Sequence, residues 1–178
     1  MLSLGRQLVN SLSRRPLTVL ASLSLLAVVG NARAETVITR LAGYQEVPAI
    51  SSAAAGHFRA SIDDKAGTIA YQLSYQGLSG DVRQAHIHLG QHSVNGAVSV
   101  FLCQTEANAD PTGLAPQCPQ SGTVNGVLQS ANMGTGTAAQ GIAPGEFAEL
   151  VAAIRAGVAY VNVHSATFPG GEIRGQLH

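Results

Sequence analysis

Apolar and polar positions alternate strictly along Ala85-His86-Ile87-His88-Leu89. A period of two predicts a strand with Ala85, Ile87 and Leu89 on one face and His86 and His88 on the other. Tyr160-Val161-Asn162-Val163-His164 repeats the pattern, with Val161 and Val163 opposed to Tyr160, Asn162 and His164. Thr36–Leu41 is rich in β-branched residues, which predicts another strand. In Gly56–Ile62, Phe58, Ala60 and Ile62 alternate with His57, Arg59 and Ser61. Thr68–Tyr75 sets Ile69, Tyr71, Leu73 and Tyr75 on one face. Strands are also predicted at Ala97–Cys103, Val158–His164 and Glu172–Leu177.

Turn chemistry punctuates these strands. Gly43–Pro48 reads as an extended segment limited by its proline. Asp63–Gly67 reads as a hairpin loop closed by a glycine with positive φ. Gly77-Leu78-Ser79-Gly80 breaks the chain, and Asn95-Gly96 marks a tight turn. Val124-Asn125-Gly126-Val127-Leu128 echoes Val94-Asn95-Gly96-Ala97-Val98 and predicts a second, similar turn. Gly134–Thr137 reads as loop, and Phe168–Gly171 as a turn in which Gly170-Gly171 supplies positive φ. One helix is predicted, because Phe147, Leu150, Val151 and Ile154 sit at helical spacing. Pro144 is placed for its first turn, Glu146 and Glu149 lie near its positive end, and Gly157 stops it just after Arg155. Many short alternating strands and one short helix near the C-terminus predict an all-β fold. The expected form is an antiparallel, Greek-key-like β-sandwich or flattened barrel, with the histidine faces outside and loops over them.

The first 34 residues read differently. Arg6, Arg14 and Arg15 precede the mostly apolar stretch Leu17–Val29, and Ala32-Arg33-Ala34 is a small-x-small site. This pattern predicts an export signal over residues 1–34, cleaved after Ala34, and a periplasmic or secreted domain over 35–178. The apolar run is too short for a membrane span, and no transmembrane segment is expected in the mature chain. A Sec-type signal is expected; Ser13-Arg14-Arg15-Pro16-Leu17 also partly matches a twin-arginine signal. Beyond Ala34 the chain carries six Lys and Arg residues against ten Asp and Glu. That balance, with no basic stripe, argues against nucleic-acid binding. The chain has two cysteines, Cys103 and Cys118. In an oxidising compartment they should pair and staple the polar excursion Gln104–Gln117.

The histidines carry the candidate chemistry. Rings two apart on a strand stand side by side, so His86 and His88 can reach one metal ion, and His164 can join from a neighbouring strand. Three imidazoles with an open position suit Cu or Zn. His92, His57 and His178 are candidates for a fourth ligand, with His92 nearest in sequence. Met133 fits either an axial copper ligand or a core gap-filler. The competing reading has the histidines hydrogen-bonded to Asn162, Glu172 or backbone. Glu172, Arg174 and Gln176 share a strand face. With Glu46 they are expected to form a salt-bridged network that closes the sandwich, or to orient a ligand histidine. Nothing resembles a nucleophile elbow, a phosphate loop or a dinucleotide fingerprint.

Four blocks together carry a family resemblance: Tyr44-Gln45-Glu46-Val47-Pro48, Ala85-His86-Ile87-His88, Tyr160-Val161-Asn162-Val163-His164, and Pro169-Gly170-Gly171-Glu172-Ile173-Arg174-Gly175-Gln176-Leu177. In this order the chain resembles the CHRD domain, the family named after the repeats of chordin. The resemblance implies an extracytoplasmic β-sandwich without a settled biochemical activity. At the level of fold, His86, His88 and His164 also resemble the copper ligands of Cu/Zn superoxide dismutase by type and order. A bridging histidine and a zinc subsite with its aspartate are not evident, so the likeness implies a mononuclear site. The expected function is a binding module rather than an enzyme. Its partner would be a metal ion or an envelope or extracellular protein. The alternatives are a dismutase-like copper enzyme and a purely structural or adhesive module.

Overall fold

In the computed structural model residues 34–178 are described; apart from its last residue, the expected export signal lies outside them. Eight strands form one sheet: β1 (Glu35–Ala42), β2 (Ala55–Asp63), β3 (Thr68–Gln76), β4 (Val82–Leu89), β5 (Ala97–Cys103), β6 (Gly122–Leu128), β7 (Ala159–Ser165) and β8 (Ile173–Leu177). The spatial order is β5-β4-β7-β8-β1-β2-β3-β6, and every paired neighbour is antiparallel. The end strands β5 and β6 approach each other, so the sheet curls into a nearly closed, flattened barrel. Curling hides most of the edge that a flat sheet would expose.

The alternation read from the sequence sets the inside of the barrel. Phe58, Leu73, Ile87, Leu102, Val161 and Ile173 are all buried in one apolar core. The single α-helix among the described residues, α1 (Phe147–Arg155), adds Phe147, Leu150, Val151 and Ile154 to that core. Pro144 lies in the preceding turn rather than in the helix, whose N-cap is Glu146. The Glu146 carboxylate instead accepts a hydrogen bond from the Ala143 N–H at 2.8 Å. Arg155, in the last turn, pairs with Glu35 at 2.7 Å and Asp64 at 2.8 Å, tying α1 to β1 and to the β2–β3 turn. These pairs are solvent-exposed and contribute little to stability.

Three local readings are corrected. Val124–Leu128 is not a turn: it lies in β6 and pairs along β3. Gly126 faces Tyr71, and a Cβ there would come within 2.5 Å of the Tyr71 hydroxyl. The glycine makes room for an aromatic ring, not for a bend. Asn95-Gly96 does not form a tight hairpin either, because residues 90–96 make a longer loop in which Ser93 holds φ at 62°. A Cβ on Gly96 would collide with the Leu89 carbonyl oxygen, so close approach explains this glycine. Gly43–Gln45, expected to be extended, forms a 3-10 turn.

Cys103 and Cys118 are joined by a disulfide, with Cα atoms 4.9 Å apart and a sequence separation of 15. The enclosed loop is organised on Asp110, whose carboxylate accepts from the N–H groups of Thr112, Leu114 and Ala115. Replacing both cysteines with serine should lower the unfolding free energy by roughly 3 kcal/mol, the loss of a closed loop of this size. Denaturant titration of the oxidised protein and the double variant measures the difference; equal midpoints would contradict it.

Candidate metal centre

β4, β7 and β8 lie side by side, and their inward residues are apolar. Their opposite faces carry His86 and His88, then Tyr160, Asn162 and His164, then Arg174 and Gln176. In register His86 is opposite Asn162, His88 opposite Tyr160, and Asn162 opposite Arg174. This face points away from the core, yet His86 is 2 %, His88 7 % and His164 5 % exposed. Loops cover it. Asn95 donates to the Val47 carbonyl at 2.7 Å, joining the 90–96 loop to the segment that carries Glu46. A third loop brings the Pro169 carbonyl over His164.

The ligand-capable nitrogens of His86, His88 and His164 lie within 4.8 Å of one another. His88 Nδ1 is 2.9 Å from the Gly96 carbonyl oxygen, and His164 Nδ1 is 2.9 Å from that of Pro169. A carbonyl only accepts, so each Nδ1 carries the hydrogen and each Nε2 keeps its lone pair. His86 Nδ1 sits 3.1 Å from His164 Nε2. The buried Nε2 atoms of His86 and His88 have no hydrogen-bond partner. Burial, reinforced by the neighbouring imidazoles His164 and His88, pushes the His86 pKa far below its ordinary value. Burial likewise brings His88 down to about 4, against the pull of the Gly96 carbonyl, and lowers His164. At neutral pH three uncharged rings therefore present lone pairs to one small space.

Aromatic stacking fixes the ring of His88. Tyr160 lies parallel to it with centroids 4.7 Å apart, and the Arg174 guanidinium sits 3.4 Å above the Tyr160 centroid on the cation–π pattern. Phe101 meets His86 edge-on at 4.3 Å. Arg174 is 1 % exposed, and its guanidinium donates to the carbonyls of Gln91 and Val94 at 3.0 Å each. It also reaches Asn95 Oδ1 at 3.3 Å. Gln176 donates to the carbonyls of Gly90 and Gly157.

The expected salt-bridged network takes another form. Among the described residues the ion pairs within 4 Å belong to Arg155, and Arg174 anchors a loop through carbonyl oxygens. Glu172 Oε1 accepts from the hydroxyls of Ser52 and Ser79 at 2.6 and 2.7 Å and from the Ser79 N–H at 2.9 Å. Burial alone would raise its pKa, but hydrogen bonds from Ser165, Ser52 and Ser79 outweigh burial and hold it below the ordinary value. Glu172 thus pins loops to the barrel and bonds no histidine. Burial pushes the Glu46 carboxyl up to about 7, against the pull of the Arg174 charge.

The remaining sequence candidates lie elsewhere. His57 is exposed on β2, with β7, β8 and β1 between it and β4. His92 is exposed and bonded to Ser93 Oγ, and His178 is exposed at the chain's last position. Met133 is 4 % exposed and packs in the core. Sequence reasoning missed the two carbonyls that set the imidazole tautomers, since any residue type supplies a carbonyl. Tyr160 had a signal, because it shares a strand face with Asn162 and His164.

Three neutral imidazoles with two tautomers fixed by carbonyls are a donor set for Cu(II) or Zn(II), and the paired Nδ1–H···O=C bonds are the usual outer support of such ligands. Hard cations such as Mg²⁺ and Ca²⁺ take oxygen ligands instead. No curated protein and no solved structure matches the chain. The family model described as the CHRD domain matches residues 37–177, from within β1 to the end of β8. That span takes in nearly the whole barrel and all three histidines, and the chain belongs to the CHRD domain family.

Proposed function

We propose that this CHRD domain is an exported binding module that holds one Cu(II) or Zn(II) ion through His86, His88 and His164. The observation that carries the reading is the convergence of these three buried imidazoles, whose ligand-capable nitrogens all lie within 4.8 Å of one another. The hydrogen-bonded alternative gives His86 Nδ1–H to His164 Nε2 at 3.1 Å. It leaves the buried Nε2 atoms of His86 and His88 without partners. Each such orphan costs about 1–3 kcal/mol, which an ion shared among the rings removes. The burial of all three rings also favours retaining an ion over turning over a substrate. The disulfide is consistent with an oxidising compartment outside the cytoplasm.

Elemental analysis of protein purified from an exporting host should find one copper or zinc per chain, and His86→Ala with His88→Ala should lose it. A well-folded wild-type protein that stays metal-free, with an unchanged melting temperature on adding Cu(II) or Zn(II), would sink the proposal. Bound at a hundred times its dissociation constant, the ion should stabilise the fold by about 2.7 kcal/mol.

Acid should destabilise the metal-free protein. Below the ordinary histidine value of 6.5, the unfolded chain takes up protons on His86, His88 and His164 that the fold refuses. Their contribution falls as the pH drops through that value. Glu46 acts in the opposite sense: its pKa is raised from 4.5 to about 7, so its contribution is lost as the pH rises through 7. Three histidines outnumber one carboxyl. Between pH 6.5 and 5 the unfolding free energy should therefore fall, on the order of 1.4 kcal/mol per pH unit for each net proton, and the melting temperature with it. A flat profile over that range, measured by thermal unfolding in chelator, would contradict the neutral-imidazole assignment.

A further inference from the structure

None of the other histidines stands near the three-histidine cluster, but an oxygen does. Asn162 Oδ1 lies 3.0 Å from His164 Nε2. Both atoms are acceptors as the site is built. The Pro169 carbonyl holds the hydrogen on His164 Nδ1, 2.9 Å away, so Nε2 carries a lone pair. The amide's other end faces Glu46: Asn162 Nδ2 and Glu46 Oε1 lie 2.8 and 2.5 Å from the point where a Gly171 Cβ would sit. The ionised carboxyl only accepts, so even without a hydrogen bond at Oε1 its charge favours the NH2 end beside it and leaves Oδ1 turned toward the histidines. Turning the amide over would set its oxygen against the carboxylate instead. Two lone pairs 3.0 Å apart in a buried place repel each other unless a cation lies between them.

The spacing agrees with that account. Adjacent ligands of one ion with bonds of ~2.0–2.1 Å stand about 2.9–3.4 Å apart, depending on the angle at the metal. Asn162 Oδ1, 3.0 Å from His164 Nε2, has that spacing. Glu46 Oε1 is itself buried without a hydrogen-bond partner, and like Asn162 Nδ2 it lies beside Gly171. Gly171, with φ at 127°, leaves the room in which carboxylate and amide meet.

We infer that Asn162 supplies the fourth, oxygen donor of the metal site through Oδ1, and that Glu46 is a positioning residue that turns the amide toward the ion. The inference rests on the three-histidine reading and adds the ligand that reading lacks. Three neutral imidazoles and a neutral amide leave the bound ion with its full double charge, and the Glu46 carboxylate beyond the amide offsets part of it.

The test uses chelator-stripped protein titrated with Cu(II) and Zn(II) against a competing chelator, with Cu(II) EPR as the second readout. Asn162→Ala should keep the stoichiometry of one ion, weaken affinity at least tenfold and shift the copper hyperfine splitting. Glu46→Gln should weaken affinity by roughly tenfold, the usual effect of losing an outer-shell partner, and Glu46→Asp should restore part of it. Asn162→Asp tests the assignment if the alanine variant does not fold. An anionic oxygen facing the ion should give a larger metal-induced rise in melting temperature than wild type shows, which a merely structural amide would not. Wild-type affinity and an unchanged spectrum in Asn162→Ala would overturn the assignment and leave the three-histidine site standing. A wild-type protein that binds neither ion would overturn both.

Discussion

The outward side chains of β4, β7 and β8 are polar, and loops keep water from them. Burying such groups costs free energy unless each finds a partner. Most of this face meets that condition with backbone carbonyls: Gly96 and Pro169 for two imidazoles, Gln91 and Val94 for Arg174, Gly90 and Gly157 for Gln176. Besides one oxygen of Glu172, the atoms left without a partner here gather around the histidines. The Nε2 atoms of His86 and His88 and one oxygen of Glu46 remain unpaired around Asn162 and His164. The proposed cation is a partner that would satisfy these lone pairs.

The covering loops and the site are built on each other. Arg174 holds Gln91, Val94 and Asn95, and Asn95 holds the segment of Val47, so one guanidinium organises two loops. The same guanidinium lies on Tyr160, and Tyr160 lies on His88. Loop anchoring and the orientation of the His88 ring thus share a stack of three side chains from three adjacent strands. Glu172 serves the opposite side, where Ser52 and Ser79 tie two more loops to the start of β8. The barrel interior needs none of this: it is an apolar core closed by α1 and the Cys103–Cys118 staple. The two faces of β4 and β7 therefore differ in kind, an apolar core within and a loop-covered cluster of polar side chains without.

Local pattern was enough for every strand except β6, for the single helix, for the cysteine pair and for which residues share a face. Period-two alternation is a property of neighbouring residues, and two cysteines in an oxidising compartment have one pairing. The same pattern put His86 and His88 on one side, and Tyr160, Asn162 and His164 on one side. Packing settled what covers those sides, since alternation assigns a face but not its neighbours. Arg174 and Glu172 read as an ion-pair network because charged types suggest each other; the fold gave them carbonyls and serine hydroxyls instead. Gly126 read as a turn because nothing local reveals the Tyr71 ring that requires it. The tautomers of His88 and His164 rest on carbonyls of Gly96 and Pro169, which no residue type announces, and strand register alone brings the imidazoles together.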